Sequence, residues 1–461
     1  MPAALPRPFH DALAAVLPPD ALLVDPAERL AYGYDNSRRQ GLPLAVALPH
    51  DAAQVQAIVR TCREHRVPVV ARGRGTNTTG ATVPGEDALV VSFERMSRVK
   101  AIRPGDRVAV VEPGLLNGDL QAALAPHGLF WPPDPTSAMY CTVGGNLACG
   151  AGGPRAVKYG ATRDNVLALK AVTGTGELVT FGAATTKGAS GYDLSRLLIG
   201  SEGTLALIVE ATLRLTPVPA KRRALRALYA NVGAAAAAVA RLMAQPVTPS
   251  MLEFMDDECV RLAREVGGAA LPSAGALLML EVDGNEAVLA EAVAAVSAAA
   301  DGPGCLGVAA ARDDAEREQL WEARKALSPA LRTIAAGKIN EDVVVPVSRI
   351  PDLVHAVRTA RDAHALPIVV FGHAGNGNLH VNILYDPDDA AQVARADAAL
   401  ADVFAAVIAL GGLVSGEHGI GMVKRELLGR SLDPGALALM RGMKALFDPD
   451  GILNPGKVLP P

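Results

Sequence analysis

The sequence predicts an α+β protein in two domains: a Gly-rich first domain over residues 1–218 and a helix-covered antiparallel sheet over 219–411, with a C-terminal segment, 412–461. Three observations carry this. The chain has 461 residues, more than one ordinary domain holds. Up to about Pro217 short β-rich runs alternate with helical stretches joined by Gly-rich loops, whereas beyond it Ala-rich helices flank isolated strands. Between the two patterns stand Pro217, Pro219 and the basic run Lys221–Arg223, which interrupt both.

Taken in order, a short amphipathic helix is expected around Asp11–Leu17. Strand-like runs follow at Pro43–Leu48, Val67–Ala71, Ala88–Val91 and Arg107–Glu112, with helices at Asp51–His65 and Asn117–His127. Leu167–Thr173 and Glu177–Phe181 read as a hairpin turning at Gly174 and Gly176, and Leu205–Leu215 as a strand. In the second domain the helices Ala234–Ala244 and Glu286–Ala300 flank a strand at Ala276–Val282. Asp313–Thr333 reads as mostly helical, with Pro329 as a kink or stop. Val343–Pro346, Ile368–Phe371 and Val381–Tyr385 read as strands, and Ser348–Leu366 as a helix capped by Ser348.

Composition narrows the function classes. Apolar residues make up 50% and charged residues 20%, enough for sizeable cores and too apolar for a disordered chain. Lys plus Arg number 44 against 48 Asp plus Glu, so the basic footprint of a nucleic-acid binder is missing. The five cysteines (Cys62, Cys141, Cys149, Cys259, Cys305) are odd in number and lack CxxC spacing, which argues against a disulfide framework, a zinc–cysteine site or an iron–sulfur cluster. The first residues lack a continuous apolar run and break at Pro18–Pro19, so no signal peptide is read, and no uncharged run is built to span a bilayer. The expectation is a cytoplasmic protein that is not integral to a membrane.

Two groups of motifs carry chemistry. In the first domain a β-run ends in Arg72-Gly73-Arg74-Gly75-Thr76-Asn77-Thr78-Thr79-Gly80, where glycines let backbone amides approach an anion and Thr and Asn add donors, a concave nest for a pyrophosphate. Pro135-Thr136-Ser137 leads into Thr142-Val143-Gly144-Gly145-Asn146 and on to Gly150 and Gly153. This Gly-dense stretch reads either as an extension of that nest or as bulges where the chain crosses a sheet. The one literal GxGxxG, Gly302–Gly307, follows a helix instead of a strand and has Pro303 where an amide is wanted, so it reads as a chance match in a loop. In the second domain His373 and His380 flank Gly375-Asn376-Gly377-Asn378, a turn able to fold both imidazoles toward one point, and Glu417-His418 sits in a second Gly-rich loop. Two imidazoles and a carboxylate make a 2-His-1-carboxylate set with positions open for a substrate.

In this order and spacing the blocks resemble the FAD-linked 2-hydroxy-acid oxidoreductases (D-lactate dehydrogenase, glycolate oxidase and D-2-hydroxyglutarate dehydrogenase type) of the vanillyl-alcohol oxidase / p-cresol methylhydroxylase superfamily. The family pattern RGxGT, PPDPxS, TxGGxxxxxAGG, KYGxTRD and GSEGTLG is met almost block for block, with Ala206 in place of the last Gly; GHxGDGNxH, GEHGxG and DPxxxxNPGK follow, with Asn376 in place of Asp. The resemblance implies a p-cresol methylhydroxylase-type FAD-binding domain, a substrate (cap) domain, and a C-terminal segment returning to the FAD site through Asn454. It implies that Arg72–Gly80 cradles the FAD pyrophosphate and Pro135–Gly153 lines the rest of the cofactor. FAD is expected to be non-covalent, since Thr76 stands where tethering members have His.

By the same resemblance His373, His380 and Glu417 would ligate Zn²⁺ or Mn²⁺ and His418 would be the base, while Arg324, in Trp321-Glu322-Ala323-Arg324, would grip the substrate carboxylate with its planar fork, a helix-surface arginine being the alternative, and Lys338 and Asn340 are weaker candidates for the same pocket. The reaction implied is oxidation of a D-2-hydroxy acid, with D-lactate the best guess and glycolate or D-2-hydroxyglutarate the alternatives, by hydride transfer to flavin N5. With no iron–sulfur ligands and no nicotinamide fingerprint, the expected electron acceptor is a partner protein or a quinone; a homodimer is left open. A flavin-binding subunit without its own activity, a metallohydrolase, and a flavoenzyme acting on alcohols or phenols are the rival readings.

Overall fold

The computed structural model describes residues 5–265 and 272–461. The chain folds as two compact units: the first is Met1–Gly152, Gly160–Val218 and Glu417–Pro461, the inserted one Gly153–Tyr159 and Pro219–Gly416. One division falls at Val218/Pro219, inside the stretch where both sequence patterns break. The other falls at Gly416/Glu417, five residues beyond the expected 411/412, and residues 153–159 go with the inserted unit.

The first unit opens with α1 (Arg7–Ala14) and holds β1 (Leu22–Leu23), β2 (Ala45–Ala47), α2 (Ala52–His65), β3 (Val69–Arg72) and β4 (Leu89–Ser92). These strands form a four-stranded sheet in the order β1-β2-β4-β3, parallel where β2 and β3 pair with β4. Parallel strands covered on both faces read as unbroken apolar runs, as Val69–Ala71 and Leu89–Val91 do. The Asp51 side chain caps α2 by accepting from the Gln54 amide at 2.9 Å, and Val55, Ile58 and Val59 bury its inner face with Phe9 and Leu13 of α1.

Next come β5 (Val99–Arg103), β6 (Val108–Val111), α3 (Asn117–Leu124), α4 (Val143–Cys149), β7 (Val166–Thr173), β8 (Leu178–Gly182) and β9 (Ala206–Arg214). The five strands make an antiparallel sheet, β5-β6-β9-β7-β8. Of the two readings of 141–153, sheet-crossing bulges are ruled out: the stretch holds the helix α4, capped by the Thr142 hydroxyl at 3.1 Å from the Gly145 amide and stopped by Gly150 at φ 69°.

The inserted unit runs β10 (Lys221–Tyr229), α5 (Val232–Ala244), β11 (Met251–Asp256), α6 (Asp257–Glu265), β12 (Ala276–Gly284), α7 (Glu286–Ala300), β13 (Cys305–Ala310), α8 (Asp314–Lys325), β14 (Gly337–Val344), α9 (Ile350–His364), β15 (Ile368–Gly372), β16 (Asn378–Tyr385) and α10 (Ala390–Ala409). Its seven strands pair antiparallel in the order β13-β10-β12-β11-β15-β16-β14. On one face Met255, Leu277, Met279, Phe371 and Leu384 pack against Cys259, Val260 and Leu262 of α6 and Leu320 of α8. The strand expected at Val343–Pro346 is the longer β14, which takes in Lys338 and Asn340. Ser348 does not cap α9: it lies in a 3₁₀ turn, Val347–Arg349, and Arg349 holds the N-cap position with no side-chain bond. Gly307 of the GxGxxG match stands inside β13, so only its first half is loop. The chain returns to the first unit for α11 (Pro434–Phe447).

Candidate active site

In the first unit an open cleft of about 600 Å³ is lined by Arg72, Gly73, Thr142, Gly144 and Gly145 among the residues singled out in the sequence, and also by Phe93, Pro113, Cys149, Ser201, Glu202 and Gly203. Its wall is built mainly of small residues, with Ala71, Ala81, Ala148 and Ala206 beside the glycines. A Cβ on Gly73 would come within 2.3 Å of Thr142 Oγ1, and one on Gly144 within 2.5 Å of Pro113 Cβ. A cleft of small residues beside a helix-capping threonine, with glycines that leave no room for a Cβ, suits a dinucleotide, so the residues fit FAD.

Several of the singled-out residues brace this unit. The Arg72 guanidinium donates to the carbonyls of Tyr34 at 2.8 Å and Ala31 at 3.1 Å. Burial pulls its pKa down, opposed by the negative charge of Asp35. Asn77 Oδ1 accepts from the amides of Thr79 and Ala81, while its Nδ2 donates to the His418 carbonyl at 3.0 Å. Gly75 and Gly80 take φ of 65° and 78°, and Thr76 is half-buried. Arg74 is exposed; so is Thr136, in the turn formed by Pro135 and Ser137. Asn454, at φ 42°, donates through Nδ2 to the carbonyls of Ala81 and Glu202, while Gly153 belongs to the inserted unit. His50 is exposed beside Arg95.

Glu417 and His418 open the last stretch of the first unit. The Glu417 carboxylate lies against Gly152, where a Cβ would stand 3.0 Å from Oε2. Just beyond, the Ile420 and Gly421 amides donate to Glu202 at 2.6 and 2.9 Å. Burial pushes the Glu202 carboxyl up to about 7 against the pull of those amides.

The inserted unit gathers its own cluster. His373 follows β15 and His380 stands in β16, and their rings meet edge to face with centroids 5.2 Å apart; both are buried. Arg324, in the last turn of α8, is no surface residue. Its side chain is 11% exposed and lies with Cζ 4.6 Å from the centre of the Phe371 ring, which also touches His380 at 5.7 Å. Between them is a residue the sequence reading missed, Glu253 of β11. It reaches His373 Nδ1 at 2.5 Å and Arg324 Nη2 at 2.7 Å. Burial alone would raise its carboxyl, but His373 and Arg324 bring it down to about 2. Asn340 pairs in register with Asn382 and Asp342 with His380, placing these four on one face; Lys338, on the same face, donates to Ser328 Oγ at 3.0 Å. Two adjacent imidazoles, one fixed by a carboxylate, are the donor chemistry a divalent cation requires, so these residues fit a metal.

A flavin cleft on one unit and a guanidinium–imidazole cluster on an α+β sheet unit define a flavin-dependent oxidoreductase of two-domain build. A model of the FAD binding domain matches residues 43–182, and one of the FAD linked oxidases, C-terminal domain, matches 218–458. The chain belongs to the FAD-linked oxidase family. It is 38% identical over 434 residues to the glycolate oxidase subunit GlcD of Bacillus subtilis (94% of this chain, 92% of the relative). It is 36% identical to the D-lactate dehydrogenase of Anaerostipes hadrus (88% and 87%) and 37% identical to the D-2-hydroxyglutarate dehydrogenase of Xanthomonas citri pv. viticola (97% and 96%). In fold it resembles p-cresol methylhydroxylase with substrate bound, with a TM-score of 0.81 at 14% identity over 100% of this chain and 99% of the other. It also resembles an alkyldihydroxyacetonephosphate synthase, at 0.77 and 21% over 99% and 86%. Among the described residues no helix is long and apolar enough to cross a membrane.

Proposed function

We propose that the chain oxidises a D-2-hydroxy acid, D-lactate in the first instance, to the 2-oxo acid, with non-covalent FAD and a divalent cation, Zn²⁺ or Mn²⁺. The observation that carries this is the buried corner where Arg324 stands beside His373 and His380 across Glu253 and Phe371. A simple alcohol or phenol gives Arg324 no counter-charge, whereas a 2-hydroxy acid brings a carboxylate beside the carbon to be oxidised. The named relatives oxidise glycolate, D-lactate or D-2-hydroxyglutarate, which supports the same class.

In this reading Arg324, with its Nε edge on Glu253, offers Nη1 and Nη2 to the substrate carboxylate. His373, His380 and Glu417 hold the cation. His418 accepts the hydroxyl proton as general base. Lys338 and Asn340 face the substrate from β14. Arg72–Gly80, Pro135–Ser137, Thr142–Gly153 and Asn454 enclose FAD. Bound FAD supplies the two-electron acceptor, and the cation supplies the Lewis acidity that makes the hydroxyl proton removable near neutral pH. Electrons then leave to a partner protein or a quinone. Glycolate is the second reading, favoured by the identity to the Bacillus subtilis subunit.

The test is anaerobic bleaching of the visible flavin band by D-lactate, L-lactate, glycolate and D-2-hydroxyglutarate, before and after EDTA. D-Lactate is expected to bleach the band rapidly, with the effect lost in EDTA and restored by Zn²⁺ or Mn²⁺. Bleaching by glycolate or D-2-hydroxyglutarate alone reassigns the substrate. A flavin that no acid bleaches overturns the reading in favour of a subunit without its own activity.

A further inference from the structure

Glu253 lies in no recognisable motif, yet its carboxylate joins two side chains that come from distant parts of the chain. Oε1 meets His373 Nδ1 at 2.5 Å, and Oε2 meets Arg324 Nε at 2.8 Å and Nη2 at 2.7 Å. The Glu253 side chain is 1% exposed, and the guanidinium Cζ stands 4.6 Å from the centre of the Phe371 ring. An ionised carboxylate only accepts, so Nδ1 of His373 carries a proton, and in the neutral ring the lone pair is then on Nε2. The same carboxylate occupies the Nε edge of Arg324, which leaves the Nη1/Nη2 edge for a second carboxylate.

We propose that Glu253 is a positioning residue serving both halves of the site: it sets the tautomer and ring direction of His373 and selects the edge of Arg324 that meets the substrate. The inference rests on the function proposed above, in which His373 ligates the metal and Arg324 binds the acid. It implies that metal affinity and substrate affinity share one determinant and fall together when that determinant is altered.

The experiment uses the full-length FAD-loaded chain and the variants Glu253→Gln and Glu253→Asp. Zn²⁺ affinity is read by competition with a fluorescent chelator, KM for D-lactate is read at saturating Zn²⁺, and folding is checked by thermal melting. Glutamine has one acceptor oxygen and can serve one partner only. Glu253→Gln is expected to weaken Zn²⁺ binding by about 10- to 100-fold, the range typical of a lost histidine-orienting partner. KM should rise on the order of 10-fold, as for a lost charge-assisted bond. Glu253→Asp keeps both oxygens and should recover part of each loss. It carries the same comparison if the glutamine variant does not fold. A folded Glu253→Gln protein with wild-type Zn²⁺ affinity, whether or not KM moves, overturns the proposal. A wild-type protein that takes up neither Zn²⁺ nor Mn²⁺ overturns the metal-dependent function and this role with it, a result distinct from wild-type binding that the substitution leaves unmoved.

Discussion

Each unit buries several carboxylates, and two of them, Glu253 and Glu202, behave oppositely. Glu253 in the inserted unit faces side chains, Arg324 and His373, and is drawn to about 2; Glu202 in the first unit faces chiefly the backbone amides of Ile420 and Gly421 and is pushed to about 7. Their exposures are 0% and 4%, so burial does not distinguish them. What differs is direct contact with a buried counter-charge: Arg324 and His373 bond to Glu253, whereas the buried Lys457 acts on Glu202 less strongly than the two amides do. Two amides can orient a loop around a carboxylate, but they do not offset its loss of hydration, whereas a guanidinium does.

Removing that counter-charge is the severest test. Arg324→Met leaves Glu253 buried without its cation and is expected to cost about 3–5 kcal/mol in urea unfolding, with D-lactate oxidation lost. A stability loss below about 1 kcal/mol would show that Glu253 does not need Arg324.

The pH dependence should carry both signs. Glu253, depressed on folding, contributes stability above pH 4.5 that is lost as the pH falls toward 2. Glu202, raised on folding, binds its proton more tightly in the native state, so stability declines as the pH rises from 4.5 to 7. Each window is worth about 3 kcal/mol at ~1.4 kcal/mol per unit. Urea midpoints across pH 3–8 should fall at both ends, and Glu202→Gln should flatten the upper window alone. An unchanged upper slope in that variant would assign the decline to other groups. The smallest effect expected is that of Thr142→Ala, which removes the cap of α4 at the cleft wall. It should cost about 1 kcal/mol and weaken FAD retention on dialysis, with the melting of the inserted unit unmoved.

The sequence was most legible where the signal was local. The helix Glu286–Ala300 was read to the residue, and α2 announced itself through Asp51 and its apolar period. The paired histidines were found because they flank one Gly-rich turn of unusual composition. Where context decided, reading failed. Lys221–Arg223, read as interrupting the strand pattern, begins the nine-residue strand β10 just past the Val218/Pro219 division, its charges tolerated at an exposed or half-buried end. β11, Met251–Asp256, went unread because all six residues are buried and no alternation survives, and the long helix α10 was likewise passed over. Glu253 carried no local sign at all. Its role comes from a strand register and from partners 71 and 120 residues away, a separation at which residue spacing says nothing.

The C-terminal segment has a consequence for how the protein is made. Leu453 bridges to Val69 of β3, and Asn454 fastens the carbonyls of Ala81 and Glu202. The unit begun first on the ribosome is therefore finished last, after the whole inserted unit has emerged and had time to fold. A nascent chain halted near residue 416 would carry a complete inserted unit and a flavin unit still lacking its closing stretch, so premature termination falls hardest on cofactor capture.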